Sequence, residues 1–148
     1  QPSAGKGIEG SVEIFDEFVP GLEGLDGFSQ IVLLFHLDRY NDFSLKVVPF
    51  LDDKKTGVFS TRSPRRPNPI GLSVVRLLSV EENILRIMDI DMLDRTPLLD
   101  IKPFIPFNGS IKDTRVGWLE GKMDRFGSTV SDERFDTKKN DGNGEEKH

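Results

Sequence analysis

The sequence predicts an all-β domain, a small closed or partly closed β-barrel of about six or seven strands. Three observations support this prediction. Short apolar or alternating segments recur along the chain, β-branched residues are spread throughout it, and no segment has the periodicity of a convincing amphipathic helix. A barrel is the simplest closure because it removes the exposed edges of a sheet. At 148 residues the chain is most simply one domain.

The elements of the first half follow from apolar patterning and from breaker residues. GSVEIF (10–15) alternates and predicts a strand. Residues 16–28 are punctuated by Pro and Gly, which favours a loop with at most one or two helical turns. SQIVLLFHL (29–37) is a continuous apolar run, so we expect a strand buried on both faces. LKVVPF (45–50) and GVFST (57–61) predict two further strands.

The second half predicts a hairpin and one more strand. GLSVVRLLSV (71–80) and ILRIMDIDML (84–93) are two strands joined by a tight turn at Glu81-Glu82-Asn83. LLDIKPFIPF (98–107) is a short strand interrupted by Pro103. Asp100 and Lys102 alternate along it and therefore face one side together, where we interpret them as a cross-strand ion pair.

The ordered domain is expected to span residues 1–120. Beyond Trp118 the apolar periodicity is lost, and residues 121–148 are predicted to be an irregular to disordered polar tail, because they hold too little apolar surface to bury. The chain begins at Gln1 rather than Met, so we expect a fragment or a processed chain.

Composition excludes several classes of function. Cysteine is absent and there are two histidines, which excludes a cysteine-based or histidine-rich metal site. No apolar run has membrane-spanning length and no secretory signal is visible, so we expect a soluble cytoplasmic protein without a membrane partner. The net charge of −5 argues against a general nucleic-acid coat. The sequence contains no glycine-rich strand–loop–helix fingerprint, so a Rossmann nucleotide-binding site is not predicted.

The run GVFSTRSPRRPNPIG (57–71) is the most informative segment. Its three prolines fix φ and push the residues before them towards extended geometry, so the loop is stiff. Two to five residues suffice to join two strands, and this loop is longer and more rigid than that task requires. It is therefore predicted to be a binding element that holds Arg62, Arg65, Arg66 and Asn68 in fixed directions.

Together with GLEGLDGFSQIVLLFHLDR (21–39), DIDMLDRTPLLDIKPFIP (89–106) and the initial Gln1-Pro2, this loop resembles the TsaA-like family, which includes the TrmO-type tRNA methyltransferases. The resemblance covers roughly residues 1–120. It implies a small all-β domain that binds S-adenosyl-L-methionine, works as a homodimer with the cofactor near the subunit interface, and methylates the 6-amino nitrogen of threonylcarbamoyladenosine next to the tRNA anticodon. The family pattern begins with a strand and an arginine that precede Gln1.

The resemblance, together with the chemistry of the side chains, suggests roles for individual residues. Arg65 and Arg66 are the candidates for binding the phosphates of the tRNA anticodon arm, and Asn68 and Asp94 are catalytic candidates, with no firm assignment. The candidates for binding the cofactor are Gln1, Pro2, Arg62, Leu72, Asp94, Arg95, Thr96 and Pro97.

Most of these residues have a second interpretation. Arg62 suits a clamp on the methionine carboxylate, or an ion pair with Asp91 or Asp94 at a barrel rim. Asn68 suits recognition of an adenine edge, or an Asx-type turn. Gly71 and Leu72 would let a flat adenine approach closely, or they are a strand-entry glycine and a core leucine. Thr96 is expected to cap its turn.

Three positions depart from the family pattern. Arg95 stands where the family usually has Gly, a position that often needs positive φ. Gln30 and Asp38 stand at or near positions where the family often has His. His36 is interpreted as a satisfied core group, since neighbouring strand residues point to opposite faces.

Two other functions remain open, and the departures from the family pattern allow the first of them. One is a catalytically lapsed S-adenosyl-L-methionine-binding sensor or interaction module. The other is a plain RNA-binding barrel with Phe59, Phe104 and Phe107 as stacking residues, although those phenylalanines are better interpreted as core.

Overall fold

Residues 5–106 and 114–126 are described by a computed structural model of the chain. Their main feature is a five-stranded antiparallel sheet with the strand order β1-β6-β5-β2-β7. Its strands are β1 (Glu9–Glu13), β2 (Gln30–His36), β5 (Ile70–Glu81), β6 (Ile84–Met88) and β7 (Leu98–Pro103). A separate two-residue ladder pairs β3 (Lys46–Val47) with β4 (Thr56–Gly57).

The described helices are all short. Residues 16–28 were expected to be a loop with at most one or two helical turns, but they contain more helix than that, in two 3₁₀ helices of seven and three residues. The 3₁₀ helices are Asp16–Leu22, Leu25–Gly27, Val58–Ser60 and Gly117–Leu119, and the one α-helical turn is α1 (Met123–Phe126). Among the residues that the structure describes, no helix has the length and hydropathy needed to cross a membrane. The remainder of the predicted tail, residues 127–148, lies outside the described residues.

The prediction of a mostly β, antiparallel domain is confirmed, whereas the closed or partly closed barrel is not. β1 and β7 are the two ends of the strand order, and no ladder within the described ranges joins one to the other. The physical reason lies in the short third and fourth strands. Each has two residues, so they form their own small ladder and do not extend the main sheet.

The core lies on one face of the sheet. Buried and half-buried residues alternate along β2, so its apolar run is fully buried on one face and half-buried on the other, not buried on both as expected. The 3₁₀ segments between β1 and β2 cover the buried face through Val19, Leu22 and Leu25. The core residues are Ile14, Ile31, Leu33, Phe35, Val75, Leu85 and Ile87.

Two predicted strands are shorter than expected. In residues 57–61, only Gly57 is in a strand, and Val58–Ser60 is a 3₁₀ turn. The Ser60 hydroxyl donates to the Gly57 carbonyl at 2.7 Å and the Thr61 hydroxyl to the Val58 carbonyl at 2.8 Å. Such local bonds compete with a sheet ladder. In residues 45–50 the ladder stops after Val47, since its partner strand has only two residues.

The hairpin β5–β6 is confirmed, but β6 ends at Met88 and not at residue 93. Asp89 breaks the strand because its φ is 71°. Its carboxylate accepts hydrogen bonds from Arg76 Nε at 2.7 Å and from the Gly7 amide at 2.8 Å. The Arg76 hydrogen bond, followed by that of Gly7, lowers the pKa of Asp89. The chain therefore leaves the sheet at Asp89 and turns towards the end of β2.

The pair Asp100 and Lys102 lies on one side of β7, as alternation predicts. Lys102 Nζ is 2.8 Å from Asp100 Oδ2, so the ion pair forms within the strand and not across strands. The Lys102 hydrogen bond lowers the pKa of the Asp100 carboxyl. Both side chains are about half exposed, so the pair contributes little to stability.

Gly71 is required by the packing of β5 on β2. It is the register partner of Phe35, and a Cβ built on Gly71 would lie 2.3 Å from the Phe35 ring. Phe35 is buried in the core, so its ring has little room to move. The glycine thus accommodates a protein aromatic ring, which supports the packing interpretation of this residue.

We expect Gly71→Ala to destabilise the protein by about 1–3 kcal/mol, because the methyl group overpacks the Phe35 site. Gly57→Ala is the matched control, since no atom lies within 4 Å of its added Cβ and its φ of −64° suits alanine. Urea unfolding of both variants measures the difference. Equal stability of the two variants would show that the Phe35 ring shifts at no cost.

Arg95 occupies the left-handed region of backbone space, with φ of 63°. The position therefore does need positive φ, and the turn is kept although glycine is absent. The turn is closed by Thr96, whose hydroxyl donates to the Leu93 carbonyl at 2.6 Å and whose amide donates to the same oxygen at 3.3 Å. The expected capping role of Thr96 is confirmed.

We expect Arg95→Gly to raise the free energy of unfolding by about 0.5–1 kcal/mol, because glycine adopts positive φ without steric cost. Arg95→Ala removes the guanidinium but keeps the Cβ, so its stability should stay close to wild type. Thermal and urea unfolding compare the three proteins. A gain in Arg95→Ala equal to that in Arg95→Gly would assign the effect to the guanidinium and contradict the backbone explanation.

Candidate functional site

A pocket of about 910 Å³ opens where β2 ends and β5 begins. This volume is within the range of small-molecule sites. Its floor is formed by strand residues such as Phe35 and Ser73, and its walls come from loops that are far apart in sequence. The walls are residues 36–40, 49–50, 59–64, 91–93 and 118–119, with Arg66, Asn68 and Thr96 completing the lining.

The arginine–proline loop is held by hydrogen bonds as well as by its prolines. Ser63 is buried, its amide donates to the Thr61 hydroxyl at 3.2 Å, and its own hydroxyl accepts from the Arg65 amide at 3.3 Å. The loop joins the adjoining segments through backbone bonds from Leu37 to Pro69 and from Ser44 to Arg65. This network confirms that the loop is a fixed wall of the pocket.

Arg62 lies at the rim of this pocket as an exposed cation. In the described ranges, its guanidinium makes no hydrogen bond and no ion pair, so the alternative of a rim ion pair with Asp91 or Asp94 is not observed. An arginine without an internal partner keeps its fork of donors available for an external carboxylate or phosphate.

Asp91 is a pocket residue that sequence reasoning treated only as a partner for Arg62. It accepts a hydrogen bond of 2.5 Å from the hydroxyl of Ser73, which is buried. The bond orients the Asp91 carboxylate at the pocket lining. The signal that the sequence offered was the alternation of β5, which places Ser73 on the core face beside apolar residues.

Three of the other predicted residues line the same pocket. Asn68 is exposed, and its side chain makes no hydrogen bond to its own turn among the residues described, so the Asx-turn interpretation is not observed. Leu72 is 52% exposed and therefore is not a core leucine. Thr96 also lines the pocket. The structure thus brings Arg62, Asn68, Leu72 and Thr96 to one cavity.

Other predicted residues lie elsewhere. Asp94, Arg95 and Pro97 are exposed on the turn beside the pocket and are not part of its lining. Gln1 and Pro2 lie outside the described residues.

The two arginines predicted to bind RNA differ in their surroundings. Arg65 forms an ion pair with Asp42 and does not line the pocket. Arg66 lines the pocket, and its Nη1 donates to the Thr61 carbonyl at 3.0 Å. Arg66 therefore has a structural role in the loop, whereas the Arg65 side chain is 27% exposed and paired with Asp42.

Two interpretations made from the sequence are wrong. His36 is half-buried and lines the pocket, and its imidazole has no hydrogen-bond partner within residues 5–106 and 114–126, so it is not a satisfied core group. β2 ends at His36, which lets both His36 and Asp38 reach the cavity. Phe59 is 73% exposed and lines the pocket, so it is not core. Phe107 lies outside the described residues.

Aromatic side chains form much of the wall, and sequence reasoning missed most of them. Tyr40, Phe50 and Trp118 join Phe59 around the cavity. Trp118 is fixed by a hydrogen bond of 2.8 Å from its Nε1 to the Ser60 carbonyl. Tyr40 and Phe50 lie in irregular segments and Trp118 in a single 3₁₀ turn, and such short segments have no periodicity that indicates which way a side chain points. The available signal was that Trp118 is the chain's single tryptophan.

An ion pair anchors the segment that carries Trp118. Lys122 Nζ lies 3.0 Å from Asp52 Oδ2, and both side chains are largely shielded. The hydrogen bond from Lys122, followed by that from the Asp53 amide, lowers the pKa of Asp52 to about 2. The stabilisation from this carboxylate is therefore present above its ordinary pKa of 3.8 and is lost as the pH falls through about 2.

Comparison with known proteins identifies relatives of the whole domain. The family model of the tRNA-methyltransferase O N-terminal domain matches residues 1–109. A probable S-adenosyl-L-methionine-binding protein of Pyrococcus abyssi is 50% identical over 135 residues, which cover 91% of this chain and 73% of that protein. The tRNA (adenine(37)-N6)-methyltransferase of Mus musculus is 46% identical over 95 residues, 62% of this chain and 22% of the mouse protein.

The fold has solved counterparts. The crystal structure of TrmO from Pseudomonas aeruginosa superposes with a TM-score of 0.62 at 38% identity, over 81% of this chain and 52% of that chain. The chain thus spans about half the length of that structure. Sequence and structure agree that this chain belongs to the tRNA-methyltransferase O N-terminal domain family, as the TsaA-like resemblance implied.

Proposed function

We propose that the protein is an S-adenosyl-L-methionine-dependent methyltransferase that acts on the 6-amino nitrogen of threonylcarbamoyladenosine next to the tRNA anticodon. The observation that carries the proposal is Arg62, an exposed guanidinium without a partner in the described chain, at the rim of a pocket of ligand size. The family and the printed functions of the relatives support it.

The pocket residues fit the chemical groups of this cofactor. A methionine carboxylate suits the fork of donors on Arg62. Its ammonium and sulfonium suit the carboxylates of Asp38 and Asp91, which line the same cavity. A flat adenine suits the apolar wall that includes Leu72 and Met92. Asn68 offers both a donor and an acceptor, which match an adenine edge.

When bound, the cofactor supplies a methyl group whose bond to sulfur breaks as the bond to N6 forms. The protein's task is to hold the acceptor nitrogen in line with that carbon and to keep water out. The N6 proton must leave, and His36, Asp38 and Asp91 are the pocket groups able to accept it. This assigns the acid–base role to pocket residues and leaves Asp94 with a binding role.

Residues beside the pocket would contact the larger parts of the two substrates. The turn with Asp94, Arg95 and Pro97 would meet a ligand that extends past the lining at Thr96. Arg65 and Arg66 would bind phosphates of the anticodon arm. Each phosphate that is neutralised adds about one unit to the slope of log affinity against log salt concentration.

Transfer of a labelled methyl group tests the proposed function. The full-length protein with tritium-labelled cofactor should label tRNA that carries threonylcarbamoyladenosine. Arg62→Ala should weaken cofactor binding in calorimetry by about 10- to 100-fold, the loss expected for a charged hydrogen-bonded pair. Arg86→Ala is the control, because Arg86 pairs with Glu9 on the β1–β6 edge.

The outcomes separate the alternatives. Cofactor binding without label transfer favours the lapsed sensor or interaction module. An absence of cofactor binding, or binding that Arg62→Ala leaves unchanged, contradicts the site assignment. Binding of tRNA without cofactor binding favours the plain RNA-binding domain.

We further propose a homodimer formed through the outer face of the sheet. This face carries an apolar stripe along β5 and β2, with Val74 exposed at 41%. Ion pairs flank the stripe, Arg76–Asp89 on one side and Lys102–Asp100 on the other. An apolar centre with a polar rim is typical of subunit interfaces. The stripe consists of Val32, Leu34, Ile70, Leu72 and Val74.

A second copy of this chain is the expected occupant, because Ile70 and Leu72 belong both to the stripe and to the pocket. The cofactor would then lie near the subunit interface, as the family resemblance implies.

A charge placed in the stripe tests the homodimer. Val74→Asp should convert a dimer into a monomer in analytical ultracentrifugation, because it buries an unpaired carboxylate. Ser11→Asp, on an exposed position of β1, is the control and should stay dimeric. Circular dichroism checks that both variants are folded. A wild-type monomer, or a dimeric Val74→Asp, would contradict the proposed interface.

A further inference from the structure

The segment after the sheet closes one side of the pocket. Residues 116–122, which we call the C-terminal strap, contain the 3₁₀ helix Gly117–Leu119, and both Trp118 and Leu119 line the cavity. The strap lies beyond residues 1–109, where the chain matches the family model. Its contribution to the pocket therefore comes from outside the matched domain.

The strap is fastened to two other segments of the chain. Trp118 Nε1 donates to the carbonyl of Ser60, two residues before Arg62, at 2.8 Å. Lys122 Nζ is 3.0 Å from Asp52 Oδ2. The Asp52 carboxylate also accepts from the amides of Asp53 at 2.8 Å and Lys54 at 3.3 Å, so it is held in one direction.

The Lys122–Asp52 pair is more shielded than the Arg86–Glu9 pair of the sheet. Its side chains are 29% and 17% exposed, against 52% and 45% for Arg86 and Glu9. A shielded pair loses less of its attraction to solvent screening. It therefore can fix the strap, whereas an exposed pair would contribute little.

The tryptophan ring has contacts at its polar edge and at one of its faces. Its Nε1 donates to the Ser60 carbonyl, and Lys122 Nζ lies over the ring, 5.9 Å from its centroid. A ligand that stacks on Trp118 would use the ring face opposite Lys122. Phe59, which is exposed in the same pocket, adds a second aromatic surface. Flat nitrogen bases stack on such surfaces.

We propose that Trp118 is a positioning residue that stacks on an adenine ring in the pocket, and that the Lys122–Asp52 pair holds it there. The inference rests on the proposed function, since both substrates of that reaction carry adenine. The ring is either that of the cofactor or that of the acceptor adenosine, and the two are separable by experiment.

The single tryptophan of the chain makes the test direct. Its emission should change when the full-length protein is titrated with S-adenosylhomocysteine, if the cofactor's adenine stacks on it. A change only with an anticodon stem-loop RNA assigns the stacking to the acceptor adenosine. Calorimetry of the same titrations measures binding independently of the fluorophore.

The outcomes distinguish a failure of the strap assignment from a failure of the proposed function. Calorimetric binding with unchanged emission in both titrations contradicts the strap assignment alone. Absence of calorimetric binding of either ligand contradicts the proposed function and the strap assignment together.

Variants test the positioning role. Trp118→Ala should weaken binding of the stacked ligand by about 10-fold, and Trp118→Phe should restore most of it, because stacking needs a ring and not the indole nitrogen. Lys122→Met should weaken binding about 3-fold, since the strap loses one anchor. Arg86→Met removes an exposed ion pair distant from the pocket and is the control.

Steady-state kinetics separate positioning from chemistry. In Trp118→Ala, KM for the stacked substrate should rise while kcat stays within about 3-fold of wild type, as expected when ground-state and transition-state binding fall together. Thermal unfolding confirms that the variant is folded. A folded Trp118→Ala with wild-type affinity and KM would overturn the proposal.

Discussion

The antiparallel pairing of β2 with β5 is the constraint on which the rest of the structure depends. Its register sets Phe35 opposite Gly71 and His36 opposite Ile70, and the absence of a side chain at Gly71 lets the Phe35 ring close the core at this point. A backbone bond from Leu37 to Pro69 continues the pairing past the strand ends. The arginine–proline loop is thereby held beside the residues that follow β2, and the pocket forms between them.

Arg62 stays available for a ligand because the conformation of the loop is fixed by its own residues before a ligand binds. Prolines restrict the backbone, the Thr61–Ser63–Arg65 bonds close its turns, and Arg66 satisfies loop carbonyls. A binding loop ordered in advance loses less entropy when it takes up a ligand. The three arginines therefore have different roles: Arg66 bonds to the loop, Arg65 pairs with Asp42, and Arg62 faces the open cavity.

The main strands of the sheet could be predicted from the sequence, whereas several residues of the pocket could not. β2, β5, the β5–β6 hairpin and β7 were predicted because strong apolar patterning survives tertiary packing. The strands near 45–50 and 57–61 were overextended, since Ser60 and Thr61 bond to their own turn. Barrel closure was not confirmed, because strand order is a long-range property. Asp91, Phe59 and Trp118 line the pocket but were not predicted to do so, because irregular segments and single 3₁₀ turns have no periodicity that indicates side-chain direction.

The sequence by itself determined that this is a mostly β domain of a tRNA-methyltransferase family, with a stiff basic loop and a position at Arg95 that needs positive φ. These properties reside in local patterning, in proline and in motif identity. Only the tertiary structure decided which residues share the cavity. Arg62, Asn68, Leu72 and Thr96 meet there, Asp94 and Arg95 stand beside it, and Trp118 arrives from beyond the matched domain. The physical reason is that strand register and hydrogen bonds between loops, which link residues distant in sequence, set those positions.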